Sequence, residues 1–281
     1  MNFPFYIARR YLFSKKKHNA INIISGISVC GVALATLALV CTLSVFNGFQ
    51  DMVASFFTAF DPQLKITVRE GKVFDGQDKR IGVVCLLPEV DVFTETLEEN
   101  AMVQYKDRQA MVVLKGVEDN FEELTAIDSI LYGAGDFLLH DSIVNYGVMG
   151  GELVATLGTG LQFVDPLQVY LPKRNAKVNM ANPGASFNRD YLYSPGVVFV
   201  VNQQEYDGKY ILTSLDFLRQ LLDYTTEVSA IELKLKPGAN VSSVQAKIEK
   251  ILGNDFIVQN RYQQQADVFR IMEIEKLISY L

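Results

Sequence analysis

Ile23-Ile24-Ser25-Gly26-Ile27-Ser28-Val29-Cys30-Gly31-Val32-Ala33-Leu34-Ala35-Thr36-Leu37-Ala38-Leu39-Val40-Cys41-Thr42-Leu43-Ser44-Val45-Phe46 is a run of 24 mainly apolar residues. As a helix rising ~1.5 Å per residue it covers ~36 Å, against a bilayer hydrocarbon core of ~30 Å, so one tilted membrane crossing fits. No charge of either sign occurs from Asn19 to Gln50, and the core helix of a soluble protein rarely runs so far without one. Upstream stand Arg9, Arg10, Lys15, Lys16 and Lys17 with no acid among them; downstream the first charge is Asp51. Basic flanks stay cytoplasmic, which predicts the N-terminus inside and the chain from about residue 50 outside. The run ends Ser44-Val45-Phe46-Asn47-Gly48-Phe49, without the small-x-small pattern of a cleaved signal peptide. An uncleaved anchor is therefore expected.

Averaged over its 281 residues, at 49% hydrophobic and 21% charged with a net charge of −6, the chain resembles an ordinary soluble protein of about two domains. The anchor distorts that average. With the five leading cations set aside, 21 Lys and Arg stand against 32 Asp and Glu, a net −11 for the exported part. Such a surface argues against nucleic acid as a partner. Cys30 and Cys41 lie in the span and Cys85 alone beyond it, so the exported part cannot form an internal disulfide.

The leader Phe3-Pro4-Phe5-Tyr6-Ile7-Ala8-Arg9-Arg10-Tyr11-Leu12-Phe13 mixes aromatics with cations, as an interfacial helix or a simple basic flank does. Within the span, Ser28, Gly31, Ala35, Ala38 and Thr42 recur at steps of three and four, a stripe of small side chains that lets a partner helix approach and pack.

Beyond Asp61-Pro62, Leu64 to Arg69 alternates as a half-buried strand. Asp75 to Leu87 reads as a helix stopped by Pro88, and Ala101 to Tyr105 with Gln109 to Leu114 as a strand pair around Lys106-Asp107-Arg108. From Asp119 to Gln204 glycines cluster and strands are short, the clearest being Gln168 to Leu171 and Gly196 to Asn202. Thr213 to Tyr224 predicts a helix capped by Thr213 with Asp216, and Val228 to Leu235 a strand with Ile231, Leu233 and Leu235 inward and Glu232 and Lys234 on the polar side. Asn240 to Leu252 is an amphipathic helix, Phe256 to Val258 a short strand, and Tyr262 to Leu281 helical. The expected class is α+β: residues 1–50 form the interfacial segment and transmembrane helix, 51–118 and 205–262 a mixed αβ base, 119–204 an inserted β-rich lobe, and 263–281 a helix leading onward.

Between the strands of the lobe runs residues 172–190, without helical or strand period and with Asn182-Pro183-Gly184 at its middle. It carries Lys173, Arg174, Lys177 and Arg189 against one acid, Asp190, in an otherwise acidic domain. Loops of this length are uncommon unless they are functional or disordered.

Catalytic chemistry is hard to assemble. His18 and His140 fall on opposite sides of the membrane, so two histidines of one chain cannot share a metal. His140 beside Asp141 reads as a surface loop rather than a base and its orienter. Gly133-x-Gly135 and Gly158-x-Gly160 lack the third glycine of a dinucleotide fingerprint, and Glu118-Asp119 and Glu122-Glu123 lack the calcium-loop spacing. No catalytic residue, metal or cofactor is expected.

Ala8-Arg9-Arg10-Tyr11-Leu12, Ile24-Ser25-Gly26-Ile27-Ser28 and above all Ser44-Val45-Phe46-Asn47-Gly48-Phe49 resemble the first span of lipoprotein-releasing permeases of the LolC/LolE type, in the wider MacB and FtsX-like class of ABC transporter permeases. Leu87-Pro88-Glu89-Val90, Leu114-Lys115-Gly116-Val117 and Asp165-Pro166-Leu167-Gln168-Val169 follow in the order and spacing of that family's periplasmic part. The resemblance implies a MacB-like periplasmic core in the cell inner membrane. It also implies a partner ATP-binding subunit, a second permease subunit, identical or homologous, and a lipoprotein cargo handed from membrane lipid to a soluble periplasmic carrier. In the family a protruding loop captures the carrier. By position that loop is here Pro172 to Asp190, with Asn182, Pro183 and Gly184 at its tip and Lys173, Arg174, Phe187 and Arg189 beside it. Family members continue into further spans, so the chain is expected to stop where a second span begins. The alternatives are a MacB- or FtsX-like efflux or signalling permease, and a single-pass anchored scaffold or binding protein.

Overall fold

The computed structural model describes residues 3, 6, 7, 10, 20–55, 60–125, 127–173 and 186–264, with backbone alone at 20–22, 46, 47 and 49–55. Most of the aromatic-basic leader therefore lies outside the described residues. The chain divides into two compact units, Met1–Phe57 and Thr58–Leu281. The first is built on α1 (Ala20–Ser55), whose segment Ile23–Val45 is long and apolar enough to cross a membrane and whose apolar side chains are exposed all round. A helix apolar on every side has no solvated face to offer water, which is the pattern of a lipid-exposed span.

The second unit begins with β1 (Leu64–Val68), β2 (Phe74–Asp75) and α2 (Lys79–Cys85). The last is shorter than the span from Asp75 to Leu87 because Asp78 caps it, accepting from the Arg80 amide at 2.8 Å. A long hairpin follows, β3 (Val90–Tyr105) and β4 (Arg108–Val117), with Lys106 in the left-handed region at the turn (φ 52°). Its strands extend well past the predicted pair on the base side, where Thr94, Thr96 and Glu98 occupy inward positions and hide the alternation. Next come α3 (Phe121–Leu124), a 3-10 turn at Ile127–Ile130, β5 (Leu131–Gly133), β6 (Val148–Met149) and α4 (Gly151–Leu157). The two glycine pairs serve geometry. Gly158 ends α4 at φ 66°, and a Cβ on Gly133 would stand 2.2 Å from the Gly196 carbonyl oxygen.

β7 (Leu167–Pro172), β8 (Phe187–Leu192), β9 (Val197–Phe199) and α5 (Gln204–Asp207) lead to β10 (Tyr210–Ser214) and α6 (Leu215–Leu222). Here the predicted helix start is corrected. Thr213 is a buried strand residue, and the cap is Ser214, whose Oγ accepts from the Phe217 amide at 3.2 Å. The unit closes with β11 (Glu227–Val228), β12 (Ala230–Leu235), α7 (Val241–Leu252), β13 (Phe256–Asn260) and α8 (Arg261–Gln264). Of the predicted helix from Tyr262 onward, residues 265–281 lie outside the described residues.

Among the described residues a nine-stranded sheet runs β13-β1-β12-β3-β4-β10-β6, with β7 and β8 continuing from the distal half of β3. One face is mainly apolar, with Glu95 in its middle paired to Arg219 of α6 at 2.7 Å. Near β1 and β12 it packs under α2 and α7 through Leu64, Ile66, Ile231, Leu233, Ile81 and Ile248. Farther along, Leu97, Val103, Leu114, Val169 and Leu192 pack under α4 and α6 through Leu153, Leu157 and Leu218. Each such fully buried aliphatic side chain contributes about 2 kcal/mol. This second cluster draws on both the 119–204 segment and the β3–β4 hairpin. A third cluster, around Phe60, Phe121, Leu212 and Phe199, covers the opposite face.

Candidate functional site

β7 alternates buried Leu167, Val169 and Leu171 with Gln168, Tyr170 and Pro172 on the outer face. β8 pairs with it antiparallel, setting Arg189 opposite Tyr170 and Phe187 opposite Pro172. The Lys173 amide donates to the Ser186 carbonyl at 2.9 Å, so the chain leaves and returns through a closed hairpin base. Asn188 Nδ2 donates to the Leu221 carbonyl at 2.7 Å, pinning β8 to the end of α6. The expected loop over 172–190 is shorter, because Pro172 ends β7 and Phe187 to Asp190 pair with it in β8: Phe187, half-buried, and Arg189, exposed, are strand residues, Lys173 is exposed beyond β7, and Arg174, Asn182, Pro183 and Gly184 lie outside the described residues. Next to the hairpin, the strand registers align Met111, Met102, Tyr170 and Arg189 in one row across four strands, and Gln109, Gln104, Gln168 and Tyr191 in the next. This outward patch of thioether, aromatic and amide groups, with Arg189 as its cation, suits contact with another protein surface.

In α1, Ser28, Gly31, Ala35, Ala38 and Thr42 are all exposed on one helical stripe. The Thr42 hydroxyl donates to the Ala38 carbonyl at 2.9 Å, so it is satisfied within its own helix. Ser44, Val45 and Gly48 are exposed on the same helix; Asn47 and Phe49 have helical backbone, and their side chains lie outside the described residues.

Sequence reading missed a cluster on the second face of the sheet. Lys65 on β1, Glu232 on β12, Glu98 on β3 and Lys115 on β4 stand side by side, with Lys65 opposite Glu232 and Glu98 opposite Lys115 in register. Lys115 Nζ lies 2.6 Å from Glu232 Oε1 and 3.5 Å from Glu98 Oε1; Lys65 Nζ lies 3.3 Å from Glu98 and 3.8 Å from Glu232. Glu232, read from sequence as part of a solvated strand face, is 0% exposed and Lys115 2%. The outer pair, Lys65 and Glu98, retains about a quarter of its side-chain exposure, 24% and 23%. Burial alone would push Glu98 up, but Lys65 and Lys115 outweigh it and hold the carboxyl at about 2. Burial likewise works against the Lys65 charge, and Glu98 and Glu232 reverse it, raising that ammonium above its usual range. The mirrored triplets Leu64-Lys65-Ile66 and Ile231-Glu232-Leu233, apolar on both sides of opposite charges, were the signal in the sequence.

Lys65, Glu98 and Lys115 border a cavity of about 550 Å³ that Phe60, Asp61, Tyr206, Tyr210, Gln259 and Gln264 also line. Burial pushes both phenols up, keeping them donors: Tyr206 to Asp61 Oδ1 at 3.2 Å and Tyr210 to Glu98 Oε2 at 3.4 Å. His140 pairs with Asp119 at 3.1 Å, while Asp141 accepts from the Ile143 and Val144 amides, so the two neighbours do not form a catalytic pair. Among the described residues no cluster of His, Cys, Asp and Glu could hold a metal ion.

The chain is 21% identical over 274 residues to the lipoprotein-releasing system transmembrane protein LolC of Xylella fastidiosa strain Temecula1, covering 97% of this chain and 63% of that one. To LolE of Haemophilus influenzae it is 22% identical over 294 residues, covering 100% and 66%, and to LolC of Neisseria meningitidis 22% identical, covering 98% and 65%. The chain thus spans 63% of the length of the Xylella relative. Among solved structures it is similar to the periplasmic region of MacB from Actinobacillus actinomycetemcomitans, with a TM-score of 0.49 at 10% identity over 75% of this chain and 94% of that one. A family model of the MacB-like periplasmic core domain matches residues 25–251, most of the chain, and the protein belongs to that family.

Proposed function

We infer that the chain is the permease portion of an ABC-type lipoprotein-releasing complex in the cell inner membrane. Its N-terminus is cytoplasmic and its main domain periplasmic. ATP hydrolysis belongs to a separate ATP-binding subunit, and a second permease subunit completes the membrane pathway. Movement of the spans, relayed through the exported domain, lifts a membrane-anchored lipoprotein toward a soluble carrier held by the loop that joins β7 to β8. In this reading 119–204 is the lobe that presents the loop, and 51–118 with 205–262 is the base. The similarity to LolC and LolE proteins along nearly the whole chain supports it. The observation that supports the loop's role is the closed base of the β7–β8 hairpin, with the exposed Lys173 at its end and Arg189 in the outward Met111–Met102–Tyr170–Arg189 row.

A photo-crosslinking side chain in place of Pro183, in the full chain in its membrane, is expected to trap a purified periplasmic lipoprotein carrier. Arg189→Glu is expected to lower that yield severalfold without altering expression. Capture of only an adaptor protein or a cell-wall hydrolase activator would overturn the assignment in favour of an efflux or signalling permease.

A further inference from the structure

Phe60 is the first described residue of the domain after α1, separated from Ser55 by four residues. Its ring is 3% exposed. It packs 4.7 Å from Phe199 and 5.2 Å from Tyr206 in a stacked arrangement, and Lys115 Nζ lies 5.9 Å from its centroid. Phe121 flanks the same ammonium at 5.5 Å. The inner ion pair, Lys115 with Glu232, is therefore buried beneath aromatic rings, 2% and 0% exposed, although Lys115 and Phe60 share the cavity lining with the more exposed outer pair, Lys65 and Glu98. The strand following Phe60 is β1, which carries Lys65 itself. The far end of the domain is tied to the same place: Arg261 Nε donates to the Asp61 carbonyl at 2.9 Å and Gln264 Nε2 to the Pro62 carbonyl at 3.1 Å.

A buried ion pair holds only while water is kept from it and its partners stay aligned, and breaking it leaves charges that the interior cannot solvate. We propose that Phe60 is a removable seal over a buried ionic lock. With the ring seated, Lys115 and Glu232 join β4 to β12 across β3. When the chain leaving α1 draws the ring outward, water reaches the pair and the centre of the sheet loosens. The exported domain thereby senses the position of its anchor, whatever cargo or carrier it serves.

The test uses the full chain in lipid nanodiscs. Acetylation of Lys115 by an amine-reactive reagent, read by mass spectrometry against exposed Lys209, is expected to rise about tenfold or more in Phe60→Ala and to stay near wild type in Phe60→Leu, which keeps an apolar cover. Equal labelling of Lys115 in wild type and Phe60→Ala, or equal rises in the alanine and leucine variants, would overturn the proposal. A second arm reads backbone hydrogen exchange over residues 230–235. Phe60→Ala is expected to accelerate it at least tenfold in the native background and less than threefold where Lys115→Met and Glu232→Met have removed the charges. The same acceleration in both backgrounds would mean that Phe60 is an ordinary core contact, and would refute the seal. Should Phe60→Ala prevent folding, the proposal requires the charge-free background to restore it; failure there too counts against it.

Discussion

Replacing Lys115 with Met leaves Glu232, fully buried, with Lys65 at 3.8 Å as its nearest cation and with its Oε2 already lacking a partner among the described residues. Removing one member of a buried ion pair generally costs about 3–5 kcal/mol, whereas replacing both with apolar side chains of similar volume is often neutral or stabilising. Lys65 gives partial compensation, so the single variant belongs near the lower end, about 3 kcal/mol. With a urea slope of about 3 kcal/mol per molar for a domain of this size, its unfolding midpoint falls by about 1 M. Lys115→Met with Glu232→Met should stay within about 0.3 M of wild type or exceed it. Pulse proteolysis of the full chain in detergent micelles, across a urea series, measures the surviving fraction without a tryptophan reporter, which this chain lacks. If the double variant loses as much as the single one, the two charges do not compensate each other and the reasoning fails.

Acid should act through Glu98. Its carboxyl is held at about 2 against an ordinary 4.5, so its stabilisation is complete above the unfolded value and is lost as pH falls from about 4.5 through about 2. The shift corresponds to about 3 kcal/mol, and Glu98→Gln should flatten that part of a urea-midpoint profile followed by circular dichroism. At the start of α6, Ser214→Ala should cost about 1 kcal/mol by removing the cap, while Thr213→Val should cost nothing or stabilise, because the buried Thr213 hydroxyl has no partner among the described residues. The reverse ranking in thermal unfolding would restore Thr213 as the cap. Gly133→Ala should destabilise by about 2 kcal/mol or more, since its backbone sits at φ 147° and its new Cβ would meet the Gly196 carbonyl; an unchanged midpoint would contradict that close approach.

Elements with one dominant period were legible in the sequence. The span declared itself by length and lack of charge, α7 by the spacing of Val244, Ile248 and Leu252 with Asn240 as its cap, and β12 by strict alternation. The base-side half of β3 was not, because Thr94, Thr96 and Glu98 point into a covered face and read as surface residues. α4 hid behind Gly150-Gly151, a pair that suggests a turn when it precedes a helix. The boundary at Ser214 failed for a related reason: β10 runs straight into α6, and Thr213 and Ser214 are equally good caps until the strand claims the first. The candidate loop could be picked out by its length and cations, but the patch beside it could not, since Met111, Met102, Tyr170 and Arg189 come together only through strand register.

The quartet shows why alternation locates two faces of a strand without saying what covers either. One face of this sheet is mainly apolar and supplies the burial that favours folding; the other places two cations and two carboxylates where apolar side chains would serve stability as well. What the charges add is alignment. Lys65 meets Glu232 and Glu98 meets Lys115 in a single register, and a slip of one residue would turn each charge into the aliphatic core beneath the helices. The four strands come from positions 65, 98, 115 and 232, so no short turn fixes their mutual register except at the β3–β4 hairpin. The ion pairs therefore act on uniqueness more than on depth of stability. Phe60, itself 3% exposed, covers the Lys115 end of the inner pair, so the charges that set the register are also among the best buried in the sheet.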